Sequence, residues 1–155
     1  MRARLNEDIK AAMKSGDKRR LATLRLITAA IKDRDLSAHV DEQGQATGRD
    51  KITDQDILAL LQKMIKQRRE SFEYYRKGGR DDLADQEVEE IAVIEGYLPR
   101  QMSEDEVRSA VADAVTELKA KGLKDMGRVM AHLKERFPGT MDFGKASAIL
   151  KEALK

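Results

Sequence analysis

Apolar residues recur at three- and four-residue spacing from one end of this chain almost to the other, and no stretch keeps the alternation of a half-buried strand. That periodicity restricts the chain to an all-α fold. Leu5, Ile9 and Met13 form a short stripe that stops at Gly16, and Asp17 is placed to cap a second helix. The second helix has a broad face of Leu21, Leu24, Leu26, Ile27, Ala30 and Ile31 and ends near Leu36. Thr53 and Asp56 make a capping pattern ahead of a long third helix. Its face runs through Ile57, Leu60, Leu61, Met64, Ile65, Arg68, Phe72 and Tyr75 to Gly78 and Gly79. Leu83, Glu87 or Val88, Ile91, Ile94 and Leu98 mark a fourth helix. Between the second and third, SAHVDEQGQATGRDKI (37–52) has two glycines and no period, which predicts a long mobile loop.

The two prolines punctuate the rest. Pro99 cannot donate a backbone hydrogen bond and pushes the residue before it out of helical geometry. PRQM (99–102) is therefore the expected boundary, with a helical domain over 1–98 hinged to a second over 99–155. Ser103 and Glu106 form a capping box for a helix through Val107, Val111, Ala114, Val115 and Leu118, closed by Gly122. Two short helices, about 125–137 and 142–154, flank the Pro138-Gly139 turn. The expected architecture is a four-helix N-terminal region hinged to a C-terminal domain of three short helices.

Several kinds of chemistry are excluded. The chain has no cysteine, so it forms no disulfide, no thiolate metal site and no thiol nucleophile. His39 and His132 lie far apart in sequence, and neither has a second histidine at ligand spacing, so no metal is expected. The ten glycines are scattered rather than gathered in a phosphate loop, and the six serines lack a nucleophile-elbow context, so neither cofactor nor small-molecule substrate is indicated. Asp85, Glu87 and Glu90 are read as part of a solvated helix face rather than as an acid–base group. The N-terminus lacks an apolar run with a cleavage site, and nowhere do ~20 apolar residues run together. With the missing cysteines, this predicts a cytoplasmic protein without a membrane segment.

Net charge is +2 but unevenly spread. Residues 1–40 carry ten Lys/Arg against five Asp/Glu, residues 41–98 nine against fourteen, and residues 99–155 eleven against nine. A polyanion would meet a divided surface. Lys18, Arg25 and Lys32, and again Lys66, Arg69, Glu73 and Arg76, share helix sides that solubility alone explains. KDMGRVMAHLKERF (124–137) is more pointed, because Gly127 sits in a first turn where Ala would be better by about 1 kcal/mol. One reading makes Gly127 a close-packing site, so that Ala destabilises. The other has Asp125 capping the helix and Gly127 leaving its first turn bare for a phosphate, with Lys124 and Arg128 adding charge.

Three stretches together resemble one known family. KQRRESFEYYRKGGRDDLADQE (66–87) resembles the long helix and turn of YqeY-like proteins, and IEGYLPRQMSEDEV (94–107) resembles the join between their two parts. KDMGRVMAHLKERFPGTMDFGKASAILKEAL (124–154) resembles the segment they share with the tail of GatB, the B subunit of the glutamyl-tRNA/aspartyl-tRNA amidotransferase. RFPGTMDFGKAS (136–147) differs in placing Phe137 and Phe143 where a polar, basic turn is common.

The resemblance implies an all-helical protein in two parts, the second a GatB-tail-like domain, under the family label of glutamine-dependent carbon–nitrogen ligase. In GatB the tail is a tRNA-binding appendage and the chemistry lies in other domains, to which nothing here is similar. The expected function is therefore a non-catalytic tRNA-binding or amidotransferase-accessory module. It would read tRNA or another structured RNA by shape and backbone through Lys124, Gly127, Arg128, Arg136 and Lys145. The alternative is a helical protein–protein adaptor without RNA binding. A helix-turn-helix DNA binder ranks below both, since the last helices offer few base readers, and an enzyme acting alone ranks last.

Overall fold

Four helix starts in this chain are set by side chains that accept the N–H groups a helix start leaves unpaired. The computed structural model describes residues 1–48 and 51–155. Among these, seven α-helices and one short 3-10 turn make up the regular structure, and no strand is present beyond one isolated bridge. The protein is all-α. It divides into two compact units, Met1–Leu98 and Pro99–Lys155.

In the first unit α1 (Arg2–Ser15) ends at Gly16, whose φ of 73° is open to glycine without a Cβ clash. The Asp17 carboxylate accepts the Arg20 N–H at 3.1 Å and starts α2 (Lys18–Ala38). A reciprocal capping box starts α3 (Asp54–Lys77). Asp56 N–H donates to Thr53 Oγ1 at 3.1 Å, and Thr53 N–H to Asp56 Oδ2 at 3.0 Å. α4 (Asp81–Glu95) opens with Asp81 and Asp82, whose charge suits the positive end of the helix dipole. Leu24, Ile27, Ile57, Leu61 and Ile94 are fully buried between these helices. Each contributes about 1.5–3 kcal/mol by leaving water.

Two details differ from the sequence expectation. The 37–52 segment is not featureless, because α2 runs on to Ala38 and Val40 pairs with Ala46 in an antiparallel bridge. Asp41 closes that turn by accepting the N–H groups of Gln43 and Gln45 at 2.9 and 2.8 Å. Arg49 and Asp50 of the segment lie outside the described residues. The fourth helix stops at Glu95, short of Leu98. Tyr97 instead turns its ring into the core and donates its hydroxyl to Asp8, with Arg4 lying 4.5 Å over the ring.

In the second unit the Ser103–Glu106 capping box starts α5 (Glu104–Glu117). α5 ends before the expected glycine, because Lys119 takes the left-handed conformation at φ 54°. A 3-10 turn (Leu123–Asp125) leads straight into α6 (Met126–Arg136), and Asp142 caps α7 (Phe143–Ala153) by accepting the Lys145 N–H at 3.1 Å. Val107, Val111, Val129, Leu133, Met141 and Leu150 form the core. Phe137 and Phe143 pack against it, which gives the two aromatics at the α6–α7 turn a structural task. The chain after Pro99 is tied to that same turn. Met102 N–H donates to the Thr140 carbonyl at 2.9 Å, and the Gln101 amide to the Gly139 carbonyl at 2.7 Å.

Candidate nucleic-acid interface

The corner between α5 and α6 gathers Lys119, Lys121, Lys124 and Arg128, all exposed, within ten residues. Its shape depends on Asp125. Asp125 does not cap α6, as the sequence suggests; its carboxylate turns back and accepts Lys121 N–H at 2.8 Å and Gly122 N–H at 3.4 Å. The cause is the 3-10 turn, which places Asp125 below the backbone it has just left. Arg128 Nη2 reaches the other Asp125 oxygen at 3.3 Å, and Nη1 donates to the Leu118 carbonyl at 2.9 Å. The Lys121 N–H, with Arg128 and the Gly122 N–H, holds the Asp125 carboxyl below its usual range against the opposing effect of burial. Asp125 is thus an inward-facing anion, 17% exposed, beneath a rim of cations.

Each residue singled out in the sequence now has a place. Lys124 is exposed and has no carboxylate partner among the described residues. Gly127 is exposed, and a Cβ built on it would meet nothing within 4 Å, so it is not a close-packing site. The expectation that Gly127→Ala destabilises by crowding is corrected accordingly. The first turn is also less bare than expected, since Asp125 N–H donates to the Gly122 carbonyl and Met126 N–H to Leu123. Arg128 is exposed but anchored, as described. Arg136, nine residues beyond Gly127 and so roughly 13 Å along the axis, pairs with Glu117 at 3.1 Å. The same Glu117 oxygen stands 3.5 Å from His132 Nε2, which is buried. Lys145 lies in the first turn of α7 with its side chain exposed. Sequence reasoning passes over Lys119 and Lys121, although the string KAKGLKDMGR (119–128) carries the signal as a charge cluster.

The carboxylates of α4 divide: Asp85 is exposed, as a solvated face requires, whereas Glu87 and Glu90 are not. Glu90 is not on a solvated face; it pairs with Arg68 of α3 at 3.1 Å, with side chains 14% and 16% exposed. Glu87 is partly buried beside them, one of its oxygens without a hydrogen-bond partner.

A profile of the YqeY-like proteins matches residues 2–154. The chain belongs to the YqeY-like family. Curated relatives include proteins named "Altered inheritance of mitochondria protein 41, mitochondrial". The one from Lachancea thermotolerans is 34% identical over 119 residues, which are 76% of this chain and 59% of that protein. The one from Pyrenophora tritici-repentis is 32% identical over 86% of this chain and 71% of its own length. The one from Eremothecium gossypii is 31% identical over 98% of this chain and 79% of its own. The YqeY-like chain thus spans about three fifths of the Lachancea protein.

These names overturn the expectation of a cytoplasmic location, since the relatives are called mitochondrial. The features behind that expectation are weak on physical grounds. Lack of cysteine marks any reducing compartment, and lack of an apolar export segment does not bear on import signals that are amphipathic and Arg-rich. Among the described residues no helix is long and apolar enough to cross a membrane.

Proposed function

We propose that the C-terminal unit of this YqeY-like protein is a non-catalytic module that binds tRNA, or another structured RNA, through its phosphates. Its role would be accessory to glutamine-dependent tRNA amidation, the setting implied by the likeness of residues 124–154 to the GatB tail. The observation that carries the reading is the α5–α6 corner. There Lys119, Lys121, Lys124 and Arg128 are exposed within ten residues, Asp125 among them is already engaged with backbone N–H groups, and Glu117 at the end of α5 is paired with Arg136. Point charges on flexible stems suit backbone contact, which positions an RNA without reading its bases. Gly127 lets the backbone of α6 be approached closely, and Arg136 and Lys145 extend the cationic surface beyond the other end of α6.

Titration of tRNA against the full chain across a salt series tests this. Affinity should fall linearly on a log–log plot. Lys119→Glu, Lys121→Glu and Lys124→Glu together should flatten the slope by about 0.7–0.9 for each phosphate that the variant no longer neutralises. Absence of binding at low salt, or a response flat to salt, overturns the proposal. The ion pairs already held by Arg128 and Arg136 favour the second reading, a protein–protein adaptor, and under it the same titration shows no RNA binding.

A further inference from the structure

Away from that corner, the N-terminal unit carries an open groove that its fold leaves unfilled. Two adjoining recesses, of about 430 and 330 Å³, lie between α2 and α3 and share Arg34, Leu60 and Lys63, so they form one continuous trough. Leu26, Ala30, Arg34 and Ala38 line one wall at four-residue steps. Asp56, Leu60, Met64 and Gln67 line the other. The walls run antiparallel, Ala38 toward Asp56 and Leu26 toward Gln67. Twelve residues of wall make a trough about 18 Å long, the length of three helical turns and far more than a single small metabolite spans.

Charge in the trough is partly spoken for. Arg68 at one end is paired with Glu90, and Asp56 at the other is taken up in the α3 capping box. Arg34 and Lys63, in the middle, are exposed and have no carboxylate partner among the described residues. Asp33 also borders the trough, at the Leu26 end. Leu26 is 45% exposed, an apolar anchor point on an outer wall. The helices of this chain bury their own apolar faces within their units: Ala84 and Ile94 of α4 in the first, Val111, Leu133 and Leu150 of α5, α6 and α7 in the second. Outside the groove, the large apolar side chains exposed on the described helices of the first unit fall one to a helix, Met13 on α1, Leu36 on α2, Tyr74 on α3 and Val88 on α4, and so make no apolar stripe for a second copy to offer.

We infer that the α2–α3 groove docks an amphipathic helix of a different protein, with its apolar stripe against Leu26, Ala30 and Leu60 and its carboxylates against Arg34 and Lys63. This is the helix-in-groove mode, in which anchors at i, i+4 and i+7 carry affinity and flanking charge sets the partner's sign. It does not depend on RNA binding by the C-terminal unit.

The probe is a fluorescent helical peptide of about 14 residues, with leucines at i, i+4 and i+7 and glutamates beside them. A counterpart carries lysine in place of each glutamate. With the full chain, the acidic peptide should bind saturably and the basic one at least about tenfold more weakly. Arg34→Glu with Lys63→Glu should reverse that preference, and Ala59→Trp should block both peptides. Arg34, Ala59 and Lys63 are exposed, and unchanged thermal melts would show the variants fold. Lys151→Glu, on α7, should leave binding as it was. Equal binding of the two peptides, or binding that survives the groove variants, overturns the inference. So does tRNA competing for the groove, or self-association of the chain that these variants abolish.

Discussion

Arg2 and Asp35 meet in a two-pronged pair, Nη1 to Oδ2 at 2.8 Å and Nη2 to Oδ1 at 2.8 Å, which fastens the first residue of α1 to the last turn of α2. The pair also fixes the chain at Ile52, ahead of α3. Arg2 donates to the Ile52 carbonyl at 3.1 Å, and Ile52 N–H donates to Asp35 at 2.8 Å. Arg2, then the Ile52 N–H, pulls the Asp35 pKa down from 3.8 to about 2. A depressed acid contributes stability that is present above its unfolded value and lost as pH falls through its folded one. Asp35→Asn should therefore lower the Tm at neutral pH, and the difference from the native chain should shrink between about pH 4 and pH 2. Thermal melts across that range check it. A constant difference throughout would remove the charge from the account.

Tyr97 gives the opposite sign at the alkaline end. Burial first, then its hydrogen bond to Asp8, pushes its hydroxyl from 10 up to about 12. Its contribution is complete below about pH 10 and is lost as pH rises through about 12. Tyr97 should ionise late, near pH 12, in an ultraviolet absorbance titration, and Tyr97→Phe should delete that late step. The same variant should cost about 1 kcal/mol, the net worth of a typical hydrogen bond.

What the sequence reveals and what it hides divide along a physical line. Capping at Thr53–Asp56 and Ser103–Glu106 is a contact across three residues, so spacing alone exposes it. The core positions Ile57, Leu61, Val111 and Leu133 follow from period for the same reason. The misses are of another kind. Lys119 adopts a left-handed φ that nothing in a lysine announces, so the sequence points to Gly122 as the end of α5. A three-residue 3-10 turn is invisible to a 3.6-residue period, and with it goes the direction of the Asp125 carboxylate. Arg68 and Glu90 lie 22 residues apart, and only the packing of α3 on α4 brings them together.

That last pair makes a prediction of its own. Burial, then the neighbouring Glu90, raises the Glu87 pKa against the opposing pull of Arg68. An acid raised on folding costs stability once pH exceeds its unfolded value, because the unfolded chain ionises more readily. Glu87→Gln should then leave the protein as stable or more stable at neutral pH and take away part of its gain on mild acidification. Arg68→Ala should be destabilising by about 1–3 kcal/mol, since it leaves Glu90 desolvated without its cation. Denaturant melts of both variants at about pH 5 and about pH 7 decide the matter. Loss of stability in Glu87→Gln at neutral pH would mean that the charge on Glu87 is satisfied by Arg68 after all.

Gly127 remains the sharpest test of the proposed RNA surface. It is exposed, its φ is not in the left-handed region, and the space where a methyl group would go is empty. An exposed helical glycine replaced by alanine gains helix propensity and loses unfolded-state freedom, up to about 1 kcal/mol. Gly127→Ala should therefore raise the unfolding free energy of the second unit, against the loss that a close-packing role predicts. Under the proposed RNA reading, the methyl group would also stand where phosphates approach α6. If phosphates approach there, tRNA affinity should fall in the same variant that melts later, and by less than in Lys124→Glu, which removes and reverses a charge. Melting and tRNA titration on one preparation separate the effects. A more stable Gly127→Ala chain that binds tRNA as tightly as the native one would take Gly127 out of the interface and leave the lysines of the α5–α6 corner to carry it.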